Sequence, residues 1–147
     1  MKLDIPGALW AAEIPFVLTN GNGGRTKFWF SAQNERKQFE TQLRAWGLSR
    51  TPPDRMVRLS VHRILGHGQR LWDPGSWQRG NWKEIQDSLV SVGWFRDDSC
   101  RWIHESIDFQ QVDAKPRPKQ SSTRIIVWPV DGSVCHCCGQ ALLKGRE

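Results

Sequence analysis

The sequence predicts an α+β fold, in which a small mixed β-sheet packs against two helices. Three patterns in the 147 residues support this interpretation. Val57, Leu59 and Val61 alternate with polar residues, as in a half-buried strand. The apolar side chains at positions 82, 85, 89 and 92 recur at helical spacing, and the run 124–130 is almost continuously apolar. The predicted order of elements is β-β-α-β-α-β-β.

The first half of the chain is expected to hold two strands, a helix and a third strand. The first two strands are the apolar segments 13–19 and 28–30, which flank a turn-rich loop. Ser31 is a suitable N-terminal cap for the helix, and Gly47 a suitable stop. The third strand, 57–63, is expected to present a basic outer face.

The second half is expected to hold a helix and two strands. The helix begins between residues 77 and 81 and runs to Val92, and Gly93 ends it. Strands are expected over 101–110, where apolar residues fall on one face, and over 124–130.

One domain is expected over residues 1–130, because 147 residues allow one compact core. The remaining segment, 131–147, is a tail that contains three of the four cysteines. Closely spaced cysteines make a poor disulfide framework, so we expect a reduced, cytoplasmic protein. No apolar run reaches the length of a membrane span and the N-terminus lacks a signal-peptide pattern, so no membrane partner is expected.

The charge distribution favours a polyanionic partner such as DNA. Lys and Arg total 21 against 15 Asp and Glu, and basic side chains bind phosphates with release of counterions. Segment 55–83 is basic, with Asp73 as its one acid, whereas segment 84–113 is acidic. A phosphate surface would therefore lie next to carboxylates that suit a hard metal ion.

Five charged residues in the middle of the chain are candidates for a catalytic centre. Lys83 and Asp87 are four residues apart, so they share one face of the second helix. Asp97 and Asp98 follow this helix, and Asp73 precedes it. The alternative interpretation is a solvated Lys–Asp pair followed by an acidic turn.

The segment 81–99, NWKEIQDSLVSVGWFRDDS, resembles the signature of the RusA-like Holliday junction resolvases. In that family a Lys begins a helix, an Asp-x-Leu follows four residues later, and a Gly and an Asp-Asp pair come next. The intervals from Lys83 to Asp87 and from Asp87 to Asp98 match this pattern without gaps. The likeness extends loosely over residues 13–130.

The resemblance implies a RusA-like fold and a homodimer that cleaves branched DNA with Mg²⁺ or Mn²⁺ in recombination and repair. Such a protein would act on the DNA of a bacterial or phage-infected cell, in the cytoplasm at the nucleoid. Carried over to this sequence, it makes Asp73, Lys83, Asp97 and Asp98 catalytic, with the three aspartates as metal ligands. Gly75 departs from the pattern, because the family has a second Asp there. A binding-only relative, which holds DNA junctions without cleaving them, is therefore the alternative.

Two further sets of residues complete the prediction. The basic side chains expected to line the DNA path are Arg58, Arg63, Arg70, Arg79, Lys115, Arg117 and Lys119. Cys135 and Cys138 have the spacing of half a zinc site, to which Cys100 and His104 could contribute. A zinc-stabilised interaction protein is thus a third hypothesis, although an oxidisable tail is the interpretation that we favour for this cluster.

Overall fold

A computed structural model of the chain describes residues 1–21 and 29–130. Within these ranges five strands form one mixed sheet in the order β1-β2-β5-β3-β4, and two helices pack on each other. Only β3 and β4 are parallel; the other neighbours are antiparallel. The strands are β1 Lys2–Leu3, β2 Trp10–Ile14, β3 Val57–Ile64, β4 Asp108–Val112 and β5 Ser122–Pro129. The helices are α1 Trp29–Ala45 and α2 Trp82–Ser91. The predicted mixed sheet with two helices is confirmed.

The core lies between the helices and one face of the sheet. In β3, Leu59 and Val61 are fully buried and stand opposite Val127 and Ile125 of β5. The alternation in the sequence therefore predicted the inward face of β3. The apolar stripe of α2 packs on this face, since its side chains at positions 82, 85 and 89 and Val92 beyond its end are all buried.

A glycine follows the end of each helix, as predicted. Gly47 follows α1 with a φ of +68°, and Gly93 follows α2 with a φ of +86°. L-residues with a Cβ rarely adopt this backbone conformation. At Gly93 a Cβ would also lie 1.8 Å from the carbonyl oxygen of Arg50, so only glycine fits this position.

Three of the predicted boundaries are wrong. The strand expected at 13–19 is β2, which ends at Ile14. Residues 29 and 30, expected in a strand, begin α1, so Ser31 lies inside the helix and does not cap it. The strand expected at 101–110 starts only at Asp108, since Ile103 forms a single bridge to Val57. Short apolar runs do not distinguish helix from strand, and these errors arise in such runs.

Two smaller points complete the fold. The two-residue strand β1 pairs with β2 and was not predicted. Neither α1 nor α2 combines the length and the apolar character that a membrane crossing requires.

Candidate functional site at the start of helix α2

The predicted Lys–Asp face of α2 is present in the structure. Trp82 and Ile85 are buried and fix the helix against the core, so the intervening Lys83 points outward. Its Nζ lies 2.9 Å from Oδ1 of Asp87, one turn further along the helix. The same Nζ donates a hydrogen bond to Oδ2 of Asp98. Lys83 therefore joins two carboxylates from separate segments of the chain.

Asp98 reaches Lys83 because the segment after α2 is anchored in the core. Trp94 and Phe95 are almost fully buried, and the indole Nε1 of Trp94 donates to the carbonyl oxygen of Leu48 over 2.7 Å. The backbone N–H of Asp98 donates to Oδ1 of Asp97 over 2.7 Å. Asp97 thus orients the turn that carries Asp98, and its carboxylate is exposed to solvent.

The charges of this cluster reinforce one another. Burial lowers the pKa of Lys83, but its hydrogen bonds to Asp87 and Asp98 outweigh this and raise it above the ordinary value. The hydrogen bond from Lys83 is the main cause of a lowered pKa for Asp98. Lys83 therefore stays protonated and Asp98 stays ionised at neutral pH. The Lys83 side chain is 59% exposed, so each ion pair contributes only about 0.2–1 kcal/mol to stability.

Asp73 and Gly75 lie in the turn that precedes α2. The side chain of Asp73 is exposed, and its backbone oxygen accepts a hydrogen bond from the N–H of Ser76 over 3.2 Å. A single 3-10 turn, Ser76–Arg79, then leads to α2. Gly75 has a φ of +77°, and a Cβ there would meet nothing within 4 Å. At the position where the resemblance calls for an Asp, the backbone thus favours glycine, although there is space for a side chain.

The three predicted metal ligands do not meet in one three-ligand group. Within residues 1–21 and 29–130, no three side chains of His, Cys, Asp or Glu are grouped so that they could hold a metal ion. Asp73, Asp97 and Asp98 are all in this part of the chain. Asp98 is already paired with the ammonium of Lys83. Binding of Mg²⁺ or Mn²⁺, which takes only one or two carboxylates from the protein, stays a prediction.

The predicted basic residues are concentrated in two loops that contact each other. We call residues 65–72 and 113–121 the two basic loops; they follow β3 and β4, whose parallel strands end at the same edge of the sheet. The N–H of His67 donates to the carbonyl oxygen of Pro118 over 2.9 Å. Nη1 of Arg117 donates to the carbonyl oxygen of Gln69 over 2.5 Å. The backbones also touch, because a Cβ on Gly66 would lie 2.5 Å from the backbone N of Ser121.

The side chains of the two basic loops differ in how far they are neutralised. Arg70, Lys115 and Lys119 are exposed. Arg117 donates to both carboxylate oxygens of Asp113, over 2.6 and 2.9 Å. Nζ of Lys115 lies 3.3 Å from the same carboxylate. The hydrogen bond from Arg117 is the main cause that lowers the pKa of Asp113 to about 2.

Arg63 has an interior position rather than the predicted place on the DNA path. It is 4% exposed, on the helix-facing side of β3. Its Nη1 donates to the carbonyl oxygen of Arg70 over 3.0 Å and to Oε1 of Gln111 over 2.9 Å. Its guanidinium lies 3.7 Å from the ring centroid of Trp72. The reason is strand parity: Arg63 alternates with His62, so it shares the inward face of Val61.

Gln111 of β4 is a positioning residue that the sequence interpretation missed. Its Oε1 accepts a hydrogen bond from the N–H of Trp72, and its Nε2 donates to the carbonyl oxygen of Trp72. With Arg63 it ties the loop before Asp73 to the sheet. A lone glutamine in a strand carries no sequence signal for this contact.

The other predicted residues lie apart from the two basic loops. Arg79 is exposed on the 3-10 turn before α2, and Arg58 is exposed on the outer face of β3 opposite Trp128. Cys100 is half-buried. The candidate zinc ligands Cys135 and Cys138 are outside the described residues.

Comparison with known proteins gives no family. A scan against protein-family models finds no match, and a search of curated proteins finds no significantly similar sequence.

Proposed function

We propose that this chain is a divergent RusA-like protein that binds branched DNA through the two basic loops. The observation that carries the proposal is the contact between these loops at one edge of the sheet. Together the loops contain four Lys and Arg residues and only one acidic residue, Asp113. Arg70 and Lys119 are exposed, one on each loop. Such a surface suits the phosphate backbone, which dominates the affinity of proteins for DNA.

The position of the loops relative to α2 supports the same proposal. The first loop leads through Asp73 and the 3-10 turn directly to Lys83. Arg79 is exposed on that turn, so a further cation lies along the chain between the first loop and the start of α2. DNA that contacts the loops would therefore run towards Lys83, where phosphate contacts fix its register without reading its sequence.

A second candidate is a metal-dependent endonuclease that resolves Holliday junctions as a homodimer. One observation favours it: Lys83 and Asp98, which match the family's Lys and downstream Asp, lie in direct contact. Asp73 and Asp97 are exposed and so accessible to an ion brought by DNA phosphates. In this candidate Asp73, Asp97 and Asp98 hold the ion, and Lys83 stabilises the phosphate.

A synthetic four-way junction tests both candidates. Binding is measured by fluorescence anisotropy in EDTA, with a linear duplex of the same base composition as the comparison. We expect the junction to bind more tightly than the duplex; equal binding of both, or no binding, would contradict the proposal. The stoichiometry of the complex, from analytical ultracentrifugation, checks the dimer.

Cleavage separates the two candidates. The junction is incubated with the protein and Mn²⁺ or Mg²⁺, and the products are resolved on a denaturing gel. The binding-only function predicts no nicks. Nicks that disappear in Asp98→Asn would establish the endonuclease, and nicks that persist in this variant would indicate a contaminating nuclease.

A further inference from the structure

Lys83 occupies a position between two carboxylates that are distant in the sequence. Asp87 is on the same helix, and its separation from Lys83 is set by the helical register. Asp98 belongs to the segment after α2 and is held in place by the buried Trp94 and by Asp97. Both carboxylates contact the same Nζ. The ammonium is thus the shared counterion of a two-carboxylate cluster.

Two carboxylates this close together require a cation. Like charges at one point repel, so without Lys83 one group would have to move away, take up a proton or take up a cation from solution. Mg²⁺ and Mn²⁺ bind in proteins through one or two carboxylates with water or phosphate in the remaining positions. The ammonium of lysine is a compact point charge with three donors. Two of them serve Asp87 and Asp98, which leaves one for solvent or a phosphate oxygen.

We propose that Lys83 is a built-in cation that takes the place of a divalent metal between Asp87 and Asp98. The intact chain therefore assembles this cluster without a metal, and divalent ions bind there only when Lys83 is removed. A corollary is that DNA binding needs no divalent ion. This corollary rests on the proposed function, whereas the binding of cations is measured on the protein alone.

Electron paramagnetic resonance of free Mn²⁺ tests the proposal on the full chain. At an Mn²⁺ concentration of about 1 mM, at which weak protein sites are occupied, the parent protein is expected to leave the signal of free Mn²⁺ unchanged. Lys83→Gln is expected to bind one Mn²⁺, and Lys83→Gln combined with Asp98→Asn to lose it again. Lys37→Gln is the matched control, because Lys37 is an exposed lysine on α1 and its loss changes the net charge equally.

Thermal unfolding in EDTA and in Mn²⁺ gives an independent reading. Lys83→Gln should unfold at a lower temperature than the parent in EDTA and recover in Mn²⁺ by mass action, whereas the parent should not respond to Mn²⁺. One Mn²⁺ bound to the parent and lost in Asp98→Asn would overturn the proposal, and so would a folded Lys83→Gln that binds none. If Lys83→Gln does not fold in either condition, the parent titration decides the question.

The junction experiment separates this inference from the proposed function. If the parent binds no Mn²⁺ and also no junction, the proposed function fails while the role of Lys83 stands. If the parent binds the junction only when Mg²⁺ is present, the corollary fails.

Discussion

Removing one basic side chain from each of the two basic loops should weaken DNA binding by an amount that the salt dependence reveals. The double variant Arg70→Gln/Lys119→Gln removes two exposed cations, whereas Arg117 stays neutralised by Asp113. Each lost phosphate contact lowers the slope of log K against log salt by about 0.9, so the double variant should lose about 1.8. Between about 50 and 200 mM salt the parent should then lose about 12-fold more affinity than the variant.

The assay is a series of anisotropy titrations with the four-way junction at several salt concentrations. The matched control is Lys2→Gln/Lys37→Gln, which removes two exposed lysines on β1 and α1, outside the two basic loops. It lowers the net charge by the same amount, so a pure net-charge effect would reduce both slopes equally. Equal slopes for the two double variants would refute the assignment of the DNA path to the loops.

Four further predictions concern charge, pH, turns and core. Asp113→Asn should free Arg117, so junction affinity should rise and the salt slope should steepen by up to about 0.9; an unchanged slope would contradict this. The pKa of Asp113 is lowered to about 2. Its ionised form therefore stabilises the loop fully at a pH above the ordinary pKa of Asp, and this stabilisation is lost as the pH falls through about 2. An NMR titration of the carboxyl should give a midpoint at about 2. Gly93→Ala should lower the free energy of unfolding by well over about 1 kcal/mol. Gly68 has a similar φ, but a Cβ there would meet no atom within 4 Å, so Gly68→Ala should show only the cost of the backbone conformation. Urea denaturation compares the two variants. Leu89→Ala, which truncates a fully buried side chain of α2, should cost about 2–5 kcal/mol in the same experiment, and a loss under about 1 kcal/mol would contradict the assigned core.

The sequence predicted best the elements whose pattern is long and regular. The alternation in β3 and the stripe of α2 gave the correct faces, because burial of one face imposes those periods. The start of α1 was wrong because the run at 28–30 is too short to define a period. β4 was placed too early because the apolar residue Ile103 meets β3 through only one bridge.

In the candidate site, too, the sequence predicted the contact within one regular element but not the contacts between elements. Lys83 and Asp87 could be paired from the sequence, since helical geometry fixes residues four apart. The contact with Asp98 depends on where the buried Trp94 and Phe95 anchor the chain, which is a tertiary effect. The interior position of Arg63 was recoverable in principle from strand parity. Its partner Gln111 was not, because a hydrogen bond between neighbouring strands depends on their register.

The buried Arg63 bears on how the two basic loops would recognise DNA. Its guanidinium donates to the carbonyl oxygen of Arg70 and stacks on Trp72. The side-chain amide of Gln111 binds both the N–H and the carbonyl oxygen of Trp72. The segment leading to Asp73 is therefore fixed to the sheet before any ligand arrives. Ordering a loop on binding costs free energy that would reduce the affinity. A loop fixed in this way avoids that cost, so Arg63 would contribute to DNA binding from the interior, through the position of Arg70 and not through a phosphate contact.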